Sequence, residues 1–140
     1  MAIYVDLSRY SYAVETVPPG VIALNVGWLG GELGFPRGAV PEEFFENLIL
    51  LARDHPSVRM RGFHACMLPH EEGRPPYPYR AEWGGVRIPL GSAEVRVYSS
   101  GGELLIAPDL VYHYVKDHGY FPPQKFIEAV LARRVSYDSR

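Results

Sequence analysis

The chain has 140 residues, a formal net charge of −2, and 47% apolar against 21% charged residues. That is enough for one domain over 1–140 with a core of its own, and the charge argues against a binder of nucleic-acid backbones, which carries a basic face. No stretch approaches about 18 consecutive apolar residues, so no membrane-spanning helix is expected.

From the N-terminus, AIYVDL (2–7) and VIALNVGWL (21–29) predict strands. The opening MAIYVDLSRYSYAVETV carries Asp6 and Glu15 and lacks a basic leader or a continuous apolar run, so no secretory signal is expected. GWLGGELGFPRGAVP (27–41) is a glycine-rich connector without the spacing of a phosphate-binding loop, and Trp28 is expected to plug the edge of the core. PEEFFENLILLARD (41–54) predicts a helix, with proline at its start and acids in its first turn. On it Phe44, Phe45, Leu48, Ile49, Leu51 and Ala52 share one face.

VRMRGFHACM (58–67) predicts a strand, and EEGRPPYPYRAEWGG (71–85) a polar, proline-rich loop. GVRIPL, AEVRVYS and ELLIAP predict three further strands, the last two joined as a hairpin around Ser100-Gly101-Gly102. PDLVYHYVKDHG (108–119) and PQKFIEAVLARR (123–134) predict helices, the first stopping at Gly119. The sum is an α+β fold: a mostly antiparallel sheet with about three helices packed on it, in a single domain.

The single cysteine excludes an intrachain disulfide and fits a reducing compartment, so a cytoplasmic protein is expected. Cys66 lies in RGFHACMLPH (61–70), which also holds two of the five histidines, His64 and His70. On a strand, His64 and Cys66 share a face, with Cβ atoms about 6 to 7 Å apart. That suits two ligands of one ion better than a hydrogen-bonded thiol–imidazole pair.

On the helix that follows, at about 100° per residue, His118 falls inside the inward arc of Leu110, Val111, Tyr114 and Val115. His113 and Asp117 fall on its shoulder. His64, Cys66, His113 and His118 thus supply the number of ligands of a tetrahedral zinc site, and the thiolate favours zinc over magnesium or calcium. His70, after Pro69, either replaces one ligand or stays in solvent. Asp109 or Asp117 is placed to hold an imidazole from behind.

Two other readings of these residues stay open. Buried cysteines are common without metal, and a helix C-terminus favours histidine by its dipole alone, so a metal-free core fits too. The third is catalytic. Cys66 as nucleophile would need His113 or His118 as base and Asp117 to orient it. A metal hydrolase would need a general base such as Glu71, Glu72 or Glu94. The G-x-S-x-G and H-E-x-x-H patterns are absent.

LLIAPDLVYHYVKDHGYFPPQKFIEAVL (104–131), with RGFHACM and GSAEVRVYS (91–99), resembles a family of small uncharacterised bacterial proteins. The resemblance covers roughly half of the chain in two blocks. Its members share an aliphatic strand, Ala-Pro-Asp or Ala-Pro-Asn, His-Tyr, a second His and a Pro-Pro pair. Some carry a second cysteine three residues after the position of Cys66; here that position is Pro69, followed by His70, which implies a shifted ligand. The resemblance implies no known activity, and it groups His64, Cys66, His113 and His118 as a set.

The expected function is a small cytosolic binding module of regulatory or immunity type, stabilised by a structural zinc-like site. Its partner would be a protein toxin, a regulator or a second copy of itself. The loop with Tyr77, Tyr79 and Trp83 offers a candidate surface, unless its aromatics fold back on the core. The alternatives are a metal-dependent hydrolase or a Cys/His thiol enzyme, and a metal-free structural domain; whether the chain is an enzyme is left open.

Overall fold

A computed structural model describes residues 3–30, 34–71 and 73–136. Among these residues there are five strands: β1 (Ala23–Asn25), β2 (Arg80–Trp83), β3 (Val86–Pro89), β4 (Glu94–Tyr98) and β5 (Leu104–Pro108). Three α-helices accompany them: α1 (Glu42–Asp54), α2 (Val111–His118) and α3 (Gln124–Leu131). The expected α+β class holds, with mostly antiparallel pairing.

Strand β5 is the hinge of the architecture. LLIAP is apolar at every position and buried at every position, the pattern of a strand covered on both faces. It pairs antiparallel with β4, through Val97↔Leu105, and parallel with β1, through Leu24↔Leu105. The alternation of side chains divides its contacts. Leu105 and Ala107 join the main core with Val95, Val97, Phe44, Leu48 and Phe126, under the helices. Leu104 and Ile106 meet Trp28, Tyr10 and Ala13 on the other face, under the N-terminal segment. Trp28 does close that edge, donating its indole N–H to the Ile106 carbonyl at 3.0 Å.

The helices follow their patterns. In α1 the buried residues are Phe44, Leu48, Ile49, Leu51 and Ala52, together with one polar side chain, Asn47. The Asn47 amide donates to the carbonyls of Val130 at 3.2 Å and Leu131 at 3.3 Å, which satisfies acceptors left over at the end of α3. Helix α2 ends on Gly119 in the left-handed region, φ 70°, as the glycine there requires.

The strands are where the expectations need correction. Segment 58–67 is not a strand. It follows the isolated bridge between Ser57 and Glu94 and runs beside the start of β4, with the Met60 N–H to the Ser92 carbonyl and the His64 N–H to the Gly91 carbonyl. Val58 at φ 47° and Gly62 at φ 69° break the extended backbone that a continuous ladder needs. Residues 3–7 also form no strand: they touch the 25–28 stretch through the Tyr4 N–H to the Trp28 carbonyl at 3.2 Å and the Leu7 N–H to the Asn25 carbonyl at 2.6 Å, and Leu7 turns at φ 68°; Ala2 lies outside the described residues.

The segment expected to be a loop, 71–85, contains β2. That strand pairs with β3 across Gly84 and Gly85, both at positive φ, as a type I′ hairpin turn demands. Trp83 at its end stacks on Phe45 of α1, with centroids 5.3 Å apart. Phe45 in turn meets the Tyr112 ring of α2 edge-on, with centroids 5.7 Å apart.

Candidate metal centre

Four side chains converge where the irregular segment after residue 58 meets the C-terminal half of α2. Cys66, His70, His113 and His118 each offer one ligand atom, and these atoms all lie within 4.8 Å of one another. Two of the four, His113 and His118, come from α2, five residues apart. The other two come from the 66–70 stretch, where Cys66 and Leu68 point inward and Ala65 and Met67 outward. Pro69 then redirects the chain so that His70 returns over the cysteine.

Nε2 of His70 is 3.3 Å from Nε2 of His113 and 3.2 Å from Nε2 of His118, which in turn lies 3.5 Å from the Cys66 sulfur. A zinc ion with Zn–N bonds of about 2.0–2.1 Å and a Zn–S bond of about 2.3 Å, at tetrahedral angles, sets N···N edges of about 3.3 Å and N···S edges of about 3.6 Å. The three observed separations match those edges. Protons alone fit the arrangement poorly. Each Nε2 has one donor or one acceptor direction, whereas His70 and His118 each face two neighbours through that single atom. A cation at the centre would satisfy all four lone pairs together.

The supporting shell orients these lone pairs. Asp117 Oδ2 sits 2.7 Å from His113 Nδ1, and Tyr79 donates its hydroxyl to the same oxygen at 3.2 Å. With Nδ1 bound to the acid, Nε2 of His113 faces the cluster. Burial holds the His118 imidazole down to about 4, helped by the neighbouring His113 and His70. Burial, His113 and Arg74 likewise lower His70. Both rings are therefore neutral near pH 7, the form that binds metal. Burial works against a charge on His113, but its hydrogen bonds to Asp117 and Cys66 prevail and raise it to about 9.

Exposure is uneven. Cys66 is 5% and His113 1% exposed, while His70 and His118 are half-buried and border an open cleft of about 700 Å³. The helical wheel placed His118 deepest and His113 on the shoulder; the order is reversed. His118, the last residue of α2, lines the cleft.

His64 is not in this group. It lies with Trp28, Met60 and Ala93 around a small void on the other side of the segment, and its backbone is pressed against Gly91. Reasoning from strand parity singled it out; without a strand the parity does not apply, and His70, kept as a possible substitute, occupies the fourth corner. Of the two acids considered as supports, Asp117 takes the role. The Asp109 carboxylate turns instead to the Gly91 N–H at 2.7 Å.

The acids considered as general bases fare differently. Glu71 lines the cleft. Glu94 is tied into a buried pair with Arg96 at 2.8 Å and accepts from the Tyr10 hydroxyl at 2.7 Å, on the sheet. Glu72 lies outside the described residues. The loop aromatics mostly fold inward, as Tyr79 and Trp83 do; Tyr77 is 62% exposed.

Together these features define an α+β domain with a Cys-His₃ cluster of metal-site geometry between a helix end and a loop. The chain belongs to the family described as Domain of unknown function (DUF7919), whose profile matches residues 2–131 and so includes all four clustered residues. Comparison with curated proteins and with solved structures gave no match.

Proposed function

We propose that this chain holds one zinc ion between Cys66, His70, His113 and His118, as a structural centre that fastens the 59–79 segment to α2. The observation that carries this reading is the agreement of three ligand-to-ligand separations, 3.3, 3.2 and 3.5 Å, with the edges of a zinc-sized tetrahedron. One thiolate and three imidazoles select zinc or a similar borderline metal over hard cations. Four protein ligands leave no coordination position for water, which favours a structural over a hydrolytic role.

The same reading makes the domain a cytoplasmic bacterial binding module. A reducing compartment keeps the sole thiol available to metal. The fastened segment presents Met67, 63% exposed, and Tyr77, 62% exposed, as residues able to anchor a protein partner or a second copy.

Elemental analysis of the untagged protein and cobalt substitution test the centre. The expected result is one metal per chain, with intense visible bands of four-coordinate cobalt and a thiolate-to-cobalt band that Cys66→Ser removes. Protein purified without metal, or cobalt bands of the weak six-coordinate type, would overturn the reading.

A further inference from the structure

The cleft beside the cluster is lined by two arginines, and both are tied to the ligand residues. Arg37 donates an Nη1 proton to the His118 carbonyl at 2.7 Å and lies over the Phe35 ring, 4.6 Å from its centroid. Arg74 donates an Nη1 proton to the Cys66 carbonyl. Both arginines thus border the same cleft, each held by the backbone of a ligand residue. Each has five N–H donors, and one bond to a carbonyl leaves most of them available.

Among the described residues neither arginine has a carboxylate partner, and the ion pair in the cleft joins His113 to Asp117 instead. Two acids line the cleft, Glu71 and Asp117, and Asp117 is already engaged by His113 and Tyr79. With the metal centre proposed above, on which this count rests, the two arginines and a divalent ion outweigh the thiolate, Asp117 and Glu71 by one positive charge.

Phe35, Leu68, Pro69 and Pro75 add apolar surface to the lining, with Phe35 directly under the Arg37 guanidinium.

We propose that this cleft binds a small molecule that carries an oxyanion, phosphate or carboxylate, on an apolar body. Arg37 and Arg74 clamp the charged end, since a planar guanidinium matches either oxyanion in bidentate fashion. Phe35, Pro69 and Pro75 cover the body. The ligand sits beside the metal and not on it, so the four-residue shell stays complete.

The test is calorimetric titration of the metal-loaded full chain with phenyl phosphate, inorganic phosphate and benzoate. Saturable binding of phenyl phosphate, tighter than that of inorganic phosphate, is expected; the benzoate arm shows whether a carboxylate serves as well. Arg37→Gln and Arg74→Gln should each weaken phenyl phosphate binding about tenfold or more, with metal content unchanged.

Either arginine also holds a carbonyl of a ligand residue, so a second readout uses the unaltered protein: the arginine Nε–Hε resonances of Arg37 and Arg74 should move on titration. Absence of saturable binding for all three probes, or binding that leaves both resonances in place, would overturn the proposal. A metal-free protein whose arginines still respond sinks only the zinc centre. A metal-loaded protein that ignores every probe sinks only the anion site.

Discussion

Asp117 stands one helical turn beyond His113 and binds its Nδ1 at 2.7 Å, so an exposed acid decides which nitrogen of a buried imidazole looks into the cluster. Tyr79, brought up by the chain leading into β2, steadies the same carboxylate. Removing the acid should therefore loosen the metal without touching a ligand. Asp117→Asn is expected to lower zinc affinity by about 10- to 100-fold, the usual effect of losing such a partner, while the chain stays folded. Competition against a coloured chelator, with circular dichroism as the control for folding, measures both.

On the proposed zinc centre, stripping the ion should cost stability directly, because its ligands come from two separate segments. A metal present at about 1,000 times its dissociation constant contributes about 4 kcal/mol. For a chain of this size that is a fall in Tm of about 10 to 20 °C. Thermal unfolding with and without chelator reads it. Cys66→Ala should show the lowered midpoint in both conditions.

Asp109 gives the fold a pH dependence of its own. Burial pushes its carboxyl up to about 7, against the backbone N–H groups of Gly91, Ala93 and Ser92, which favour the ionised form. In the unfolded chain the group ionises near 3.8. Between those values the unfolded state holds fewer protons than the folded one, so this group's contribution to stability is complete below about pH 4 and falls as pH rises toward 7. The full fall is on the order of 4 kcal/mol. Asp109→Asn, which keeps an acceptor for the Gly91 N–H, should remove this slope. The check is the difference between the two proteins in urea unfolding across pH 4 to 8; parallel curves would refute it.

Gly91 couples the sheet to the loop that carries the cysteine. It sits at φ 120°, and a Cβ there would lie 2.6 Å from the His64 carbonyl oxygen. Gly91→Ala must therefore displace the 61–66 backbone or strain its own. We expect a loss of about 2 kcal/mol or more in urea unfolding, with weaker zinc binding as Cys66 is pushed from its place. Unchanged metal affinity would show that the two regions move independently.

How much of this was legible without coordinates depended on the kind of signal. Helices α1 and α3 repeat apolar residues at helical spacing, and burial followed the repeat. The β4–β5 hairpin was marked by alternation on both sides of a glycine turn. Strand β2 was hidden by Pro75, Pro76 and Pro78 just ahead of it, although Gly84-Gly85 is itself a hairpin signal. At the metal cluster, three residues were found because histidine and cysteine are scarce and gather in two places. The fourth was displaced from His64 to His70 because parity along a strand was applied to a segment that Val58 and Gly62 prevent from being one. The approach of His70 to His113 spans 43 residues and depends on how a loop folds back, which no local periodicity encodes.

Among the described residues, the segment from 59 to 79 is tied to the rest of the chain by backbone bonds only at Met60, His64 and Tyr79. Irregular stretches of this length stay ordered only when something holds them, and a freed one is a natural place for a protease to cut. The ion would then act as a seal on the polypeptide. Protein stripped of metal would then be cut within this segment by a protease that leaves the metal-loaded protein intact.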